Sequence, residues 1–120
     1  MVVGGSNNTV HGIGGNIVGG CSNTARNSYS TVVGGHTLSA AGNCSFLGGG
    51  NANCTTTDQA AIVGGFCNAI LKAGCMSTIA GGSNHFVCTQ NSFIGSGDGN
   101  QISDGGCYSV IAGGQYNCVK

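Results

Sequence analysis

The sequence predicts an all-β fold, a parallel β-solenoid wound from coils of about 15 residues. Three observations point there. A Gly-Gly pair recurs at a fixed short spacing, and an aliphatic residue always stands three positions before its second glycine. Large apolar residues are scarce: Leu occurs only at 38, 47 and 71, and Phe four times in 120 residues. A fixed short period marks a chain that stacks copies of one small unit.

Each unit is numbered from its second glycine, the anchor. The anchors are Gly5, Gly20, Gly35, Gly50, Gly65, Gly82, Gly97 and Gly114, with steps of 15, 15, 15, 15, 17, 15 and 17 residues. Eight coils are therefore expected, forming one domain over residues 1–120. At about 4.8 Å per coil they make a rod roughly 38 Å long.

Position −5 is small throughout: Gly15, Ser30, Ser45, Ala60, Ser77, Ser92 and Ser109. Position −3 is aliphatic throughout: Val2, Ile17, Val32, Leu47, Ile62, Ile79, Ile94 and Ile111. Side chains alternate along a strand, so −5, −3 and the first glycine at −1 are placed together on the inner face. The glycine pair then turns the chain, because Gly tolerates positive φ. Position +3 carries Asn8, Asn23, Asn53, Asn68, Asn100 and Asn117, interrupted by Leu38 and His85. Stacked from coil to coil, these asparagines are expected to form an inward amide ladder. A second short strand ends at +5, on Val10, Ala25, Ala40, Thr55, Ile70, Val87, Ile102 and Val119. The remaining residues form an outer turn holding Arg26, Asp58, Lys72, Asp104 and Lys120, and the two longer steps add their extra residues there. Helix is a poor reading, since no stretch shows a 3.6-residue period and Gly recurs every few residues.

The outward positions of the first strand, −4 and −2, are apolar as well. Val3, Val18, Val33, Phe46, Val63, Thr78, Phe93 and Val110 are expected to form a self-association face. Phe46 and Phe93 are the two that share their strand with Gly at −2, Gly48 and Gly95, a balance of volume that suggests a packed layer. Three copies around an axis, a homotrimer, would bury such a face; so would a pair of sheets. Met1 enters in mid-strand and Lys120 stops just past the last strand, with no polar cap at either end. The chain is therefore expected to be a piece of a longer fibre or a unit that stacks end to end into a filament.

Composition excludes several classes. Net charge is zero, with three Lys or Arg and three Asp. Nucleic-acid binding needs a basic footprint, and Arg26, Lys72 and Lys120 do not make one. No run of 18 apolar residues exists to insert into a membrane as a helix, and no signal peptide is visible at the N-terminus.

The unit Tyr29-Ser30-Thr31-Val32-Val33-Gly34-Gly35 returns as Tyr108-Ser109-Val110-Ile111-Ala112-Gly113-Gly114, followed by Gln115-Tyr116-Asn117. It resembles the head repeats of trimeric autotransporter adhesins, which wind as left-handed parallel β-rolls and trimerise. It is also similar to Gly-Gly-x-x-Asn arrays in fibre-like proteins of large DNA viruses and phages. The eight cysteines and the missing stalk heptads depart from the adhesins, which favours the viral fibre. The resemblance spans the whole chain and implies left-handed winding and a place in a virion or extracellular surface fibre. It transfers no catalytic residue.

Chemistry-bearing residues do not converge. Cys21, Cys44, Cys54, Cys67, Cys75, Cys88, Cys107 and Cys118 fall at irregular repeat positions. They are read as free thiols serving as small apolar residues, with intrachain or interchain disulfides as the alternative. Cys54/Cys67 and Cys75/Cys88 stand thirteen apart, two short of a coil. No Cys-x-x-Cys occurs, so no metal site is assigned, and no cofactor either. His11, His36 and His85 occupy three different repeat positions. Gly95-Ser96-Gly97-Asp98-Gly99 lacks the spacing of a phosphate loop. Asn7, Asn43 and Asn53 begin glycosylation acceptor triplets, but Asn53 lies on the inward ladder.

The expected function is a stiff, self-associating structural or attachment module, not an enzyme. Its partners would be copies of itself, and a host surface or glycan met by the turns. An ice-binding solenoid is the rival, although Thr9, Thr24, Thr31, Thr55 and Thr78 divide among three repeat positions. A polysaccharide-acting enzyme would need clustered carboxylates, and Asp58, Asp98 and Asp104 lie on separate coils.

Overall fold

A computed structural model describes all of residues 1–120, and they form a parallel β-solenoid with no helix. Fifteen two-residue strands, β1 to β15 in chain order, divide into two sheets. The odd strands make the larger one, in the order β1 (Thr9–Val10), β3 (Thr24–Ala25), β5 (Ser39–Ala40), β7 (Cys54–Thr55), β9 (Ala69–Ile70), β11 (Phe86–Val87), β13 (Gln101–Ile102) and β15 (Cys118–Val119). The even strands make the other, from β2 (Asn16–Ile17) through β4 (Thr31–Val32), β6 (Phe46–Leu47), β8 (Ala61–Ile62), β10 (Thr78–Ile79) and β12 (Phe93–Ile94) to β14 (Val110–Ile111). All pairings are parallel. The first strand of each coil covers −4 and −3, and the second covers +4 and +5. A third stack of single parallel bridges runs through +1, from Ser6 through His36 and Phe66 to Gln115. The eight anchors thus close seven turns, and the rod measures 38 × 22 × 14 Å.

The core is one side chain deep between the sheets. The −3 row from Ile17 to Ile111 and the +5 row from Ala25 to Ile102 are buried, and Val10 and Val119 pack against its two ends. Small residues at −5 let the chain turn closely over this core. Their hydroxyls are satisfied by backbone carbonyls: Ser30 Oγ donates to Asn27 O and Ser45 Oγ to Gly42 O, both at 2.7 Å. In the +5 row Thr55 is the exception, for its buried hydroxyl has no partner.

The register survives both 17-residue steps. Ala61 still pairs with Thr78, and Ala69 with Phe86. The two extra residues lie in the turn between β9 and β10, and again between β13 and β14, each seven residues long where the other coils have five.

The placement of the first glycine differs from the expectation. A Cβ on Gly4, Gly19, Gly34, Gly49, Gly64 or Gly81 would meet nothing within 4 Å. Position −1 therefore does not share the inner face with −5 and −3. The strand ends at −3, alternation stops there, and −1 points into open space, which is why Ser96 fits. The anchor glycine is the constrained one. Its φ runs from 83° to 105°, beyond the left-handed region that L-residues tolerate. A Cβ on Gly65 would also fall on the carbonyl oxygen of Gly82 in the next coil and lie 2.6 Å from Asn68 Nδ2.

Two further positions of the coil are left-handed and, apart from Gly14 and Gly99, are not glycine. At −6, Tyr29, Cys44, Gln59, Met76, Asn91 and Tyr108 have φ of 54–61°. At +2, Asn7, Ser22, Thr37, Ala52, Cys67, Asn84 and Tyr116 have φ of 53–57°. Beyond the first coil their N–H groups bond back to the preceding coil, as Tyr29 N–H does to Ile13 O at 2.9 Å and Thr37 N–H to Cys21 O at 3.0 Å.

Candidate functional site: an internal ladder and an apolar outer face

The structure organises its polar residues into an internal ladder and leaves one long uncharged face outside.

The ladder forms at +3. Asn23, Asn53, Asn68 and Asn100 are fully buried, Asn8 is half-buried, and Asn117 on the last coil is exposed. Its hydrogen bonds run mainly from amide to backbone, not from amide to amide. Asn23 Nδ2 donates to Gly19 O at 3.1 Å within its own turn and to Gly35 O at 3.0 Å in the next coil. Its Oδ1 accepts from Leu38 N–H at 3.0 Å. Asn53 repeats the donor pair with Gly49 O and Gly65 O, and its Oδ1 accepts from Asn68 N–H at 2.9 Å. Each side chain therefore staples the carbonyls around two anchors and holds the next rung's backbone. Only at the last step do two amides meet directly, where Asn117 Nδ2 donates to Asn100 Oδ1 at 3.1 Å. Asn53 is committed to this network, and its amide nitrogen is buried away from any modifying enzyme.

Leu38 and His85 interrupt the row differently. Leu38 fills the volume and offers no acceptor to Asn53 N–H. His85 is 1% exposed and behaves as a partial asparagine, with Nδ1 accepting from Asn100 N–H at 3.1 Å.

The face expected to self-associate is the outer surface of the even-strand sheet. Val3, Val18, Val33, Phe46, Val63, Phe93 and Val110 are exposed on it and Thr78 is half-buried. None of the six charged residues occupies −4 or −2. The balance between Phe and Gly has a cause inside the rod. A Cβ on Gly48 would fall on Val63 O, and one on Gly95 on Ala112 O, so both coils require glycine at −2. Phe46 Cε1 would lie 3.3 Å from that Gly48 Cβ, so the ring leans over the vacated spot. The pairing therefore gives no independent sign of a packed partner.

The remaining candidates stay apart. His11 and His36 are exposed, and His36 Nδ1 shares a 2.8 Å hydrogen bond with Thr37 Oγ1. All eight cysteines are unbridged. Burial pushes the Cys54 thiol above its ordinary range, with Cys67 adding to the shift, which makes Cys54 a poor nucleophile. Asp98 stands on the +1 stack, where its carboxylate accepts from Ser83 Oγ at 2.8 Å and Asn84 Nδ2 at 3.0 Å. Hydrogen bonds from Asn84, Ser83 and Gln115 hold it below the usual carboxylate range, so Gly95–Gly99 presents a negative charge, the wrong sign for phosphate. No helix of the rod is long and apolar enough to cross a membrane.

Sequence reasoning missed the left-handed residues at −6 and +2 because no residue type marks them. The partner for His85 Nδ1 was foreshadowed only by its place in the asparagine row.

Comparison with protein-family models and with curated proteins gives no match for this chain.

Proposed function

We propose that the chain is a stiff structural module of a viral or cell-surface fibre, whose copies associate through the outer face of the even-strand sheet. The observation that carries this reading is a charge-free apolar strip running the length of the rod. Water does not favour such a strip on a free surface, and its burial between copies would stabilise an assembly.

The strip is small for an interface between two copies. A strip 38 Å long and about one short strand wide covers roughly 400 Å². A pair would then bury about 800 Å² in total, short of the roughly 1,200–2,000 Å² of stable interfaces. Three copies turned inward on one axis would bury the same roughly 400 Å² each and close the strip on itself with no edge left open, which is the ground for proposing a homotrimer. The likeness of the repeat to adhesin heads and viral fibre arrays supports the same arrangement. Contact with a host surface or glycan would then fall to the turns, where Tyr29, Tyr108 and Tyr116 stand exposed.

Sedimentation equilibrium across a wide concentration range tests the reading. The wild-type chain should form trimers. The double variant Val33→Lys with Val63→Lys should remain a monomer with an unchanged far-UV spectrum. A wild-type chain that stays monomeric at millimolar concentration would sink the proposal. If that monomer also showed thermal hysteresis, the ice-binding reading would replace it.

A further inference from the structure

We propose that His85 makes one seam of the rod acid-labile, the junction between the coil anchored at Gly82 and the coil anchored at Gly97.

His85 is the only histidine in the interior. Its own N–H donates to Asn68 Oδ1 at 3.0 Å, which ties it to the coil before. Its Nδ1 accepts from Asn100 N–H at 3.1 Å, which ties it to the coil after. An acceptor must carry a lone pair, so Nδ1 is unprotonated and the neutral ring holds its hydrogen on Nε2. Nε2 sits where asparagine places its amide nitrogen. A Cβ on Gly82 would lie 2.5 Å from it, as a Cβ on Gly65 would lie 2.6 Å from Asn68 Nδ2. Unlike the amide nitrogen, Nε2 makes no hydrogen bond.

The second proton can go only to Nδ1. There it would face the Asn100 N–H, donor against donor, and place a charge in the core. An asparagine rung has no such failure, because its carboxamide does not titrate in this range. The surroundings offer the charge little relief. The neighbouring strands, Ala69–Ile70, Phe86–Val87 and Gln101–Ile102 in one sheet and Thr78–Ile79 and Phe93–Ile94 in the other, carry no ionisable side chain. The ionisable groups in the adjoining turns are Cys67 on the coil before, the buried Cys88 on the same coil, a neutral thiol that offers no counter-charge, and Asp98 on the coil after. Asp98 attracts the imidazolium but is committed to Ser83, Asn84 and Gln115. Burial outweighs that attraction and lowers the affinity of His85 for a proton below the ordinary histidine value of 6.5.

The opened seam therefore binds a proton more readily than the closed one. The stability His85 contributes is complete above pH 6.5 and is lost progressively as pH falls towards the native value. Between those limits the opening constant rises about tenfold per pH unit. The inference concerns a single rod and does not depend on association.

Amide hydrogen exchange followed by NMR between pH 7.5 and 4.5 tests it. After correction for intrinsic chemistry, protection of Asn100 N–H should fall about tenfold per unit below pH 6.5 in the wild type. Asn68 N–H, held by Asn53 Oδ1, should change far less. In His85→Asn the Asn100 protection should be flat. Flat protection in the wild type, or the same fall in His85→Asn, would overturn the proposal. Should that variant fail to fold, the ring nitrogen shifts of the wild type decide: a native His85 pKa at or above 6.5 refutes it.

Discussion

The two glycines of each pair look alike in the sequence and do opposite things in the structure, so alanine at adjacent positions gives a sharp test. At Gly64 a Cβ would meet nothing within 4 Å, and its φ is not positive. Gly64→Ala should be neutral, or stabilising by up to about 1 kcal/mol through reduced freedom of the unfolded chain. At Gly65 the φ is 99°, and a Cβ would fall on Gly82 O. Forcing an L-residue into that backbone costs about 1–2 kcal/mol. Relieving the collision means parting the two coils locally. That weakens the bonds that Phe66 N–H and Asn68 Nδ2 donate to Gly82 O, both at 3.0 Å, each a net contribution of about 1 kcal/mol. Gly65→Ala should therefore lose about 3–4 kcal/mol, a large part of the roughly 5–15 kcal/mol typical of a domain. Urea unfolding followed by circular dichroism reads both variants against the wild type. Equal losses at the two positions, or a neutral Gly65→Ala, would refute the assignment of the anchor.

Two other substitutions probe the interior by the same unfolding measurement. Asn68→Ala removes the donors to Gly64 O and Gly82 O and the acceptor for His85 N–H, so it should destabilise by about 3 kcal/mol; a loss under 1 kcal/mol would show that water or relaxation replaces the rung. Thr55→Val keeps the shape and removes a buried hydroxyl without a partner, so it should stabilise by about 1 kcal/mol; a loss would mean the hydroxyl is satisfied after all.

The architecture was legible because the constraint that makes it is periodic. One aliphatic row at −3 and another at +5 are what a core one side chain thick demands, and they recur wherever the strands do. The asparagine row was legible for the same reason, although its bonding to the anchor carbonyls follows from backbone geometry that no composition reveals. The first glycine misled because alternation was carried past the end of a two-residue strand. The residues at −6 and +2 left no trace, since the left-handed region near 55° admits Tyr29, Cys44, Gln59 and Ala52 alike once the N–H is bonded. Phe46 over Gly48 shows a subtler limit: the volume balance was visible, but its cause lay in the next coil's carbonyl. A surface reads even less clearly, because an exposed strip carries no mark of what covers it.

The corner between the +5 and −5 positions behaves unlike every other part of the coil. It lengthens from five residues to seven twice, and the strands on either side keep their partners. Lengthening there touches neither the glycine that must follow its neighbour closely nor the rung that holds it. Such a corner is a natural splice point. A guest peptide inserted between Leu71 and Ser77, or between Ser103 and Ser109, would be displayed on the flank of the rod at a fixed height. Two such sites two coil levels apart, about 10 Å along the axis, would turn the rod into a ruler for spacing ligands.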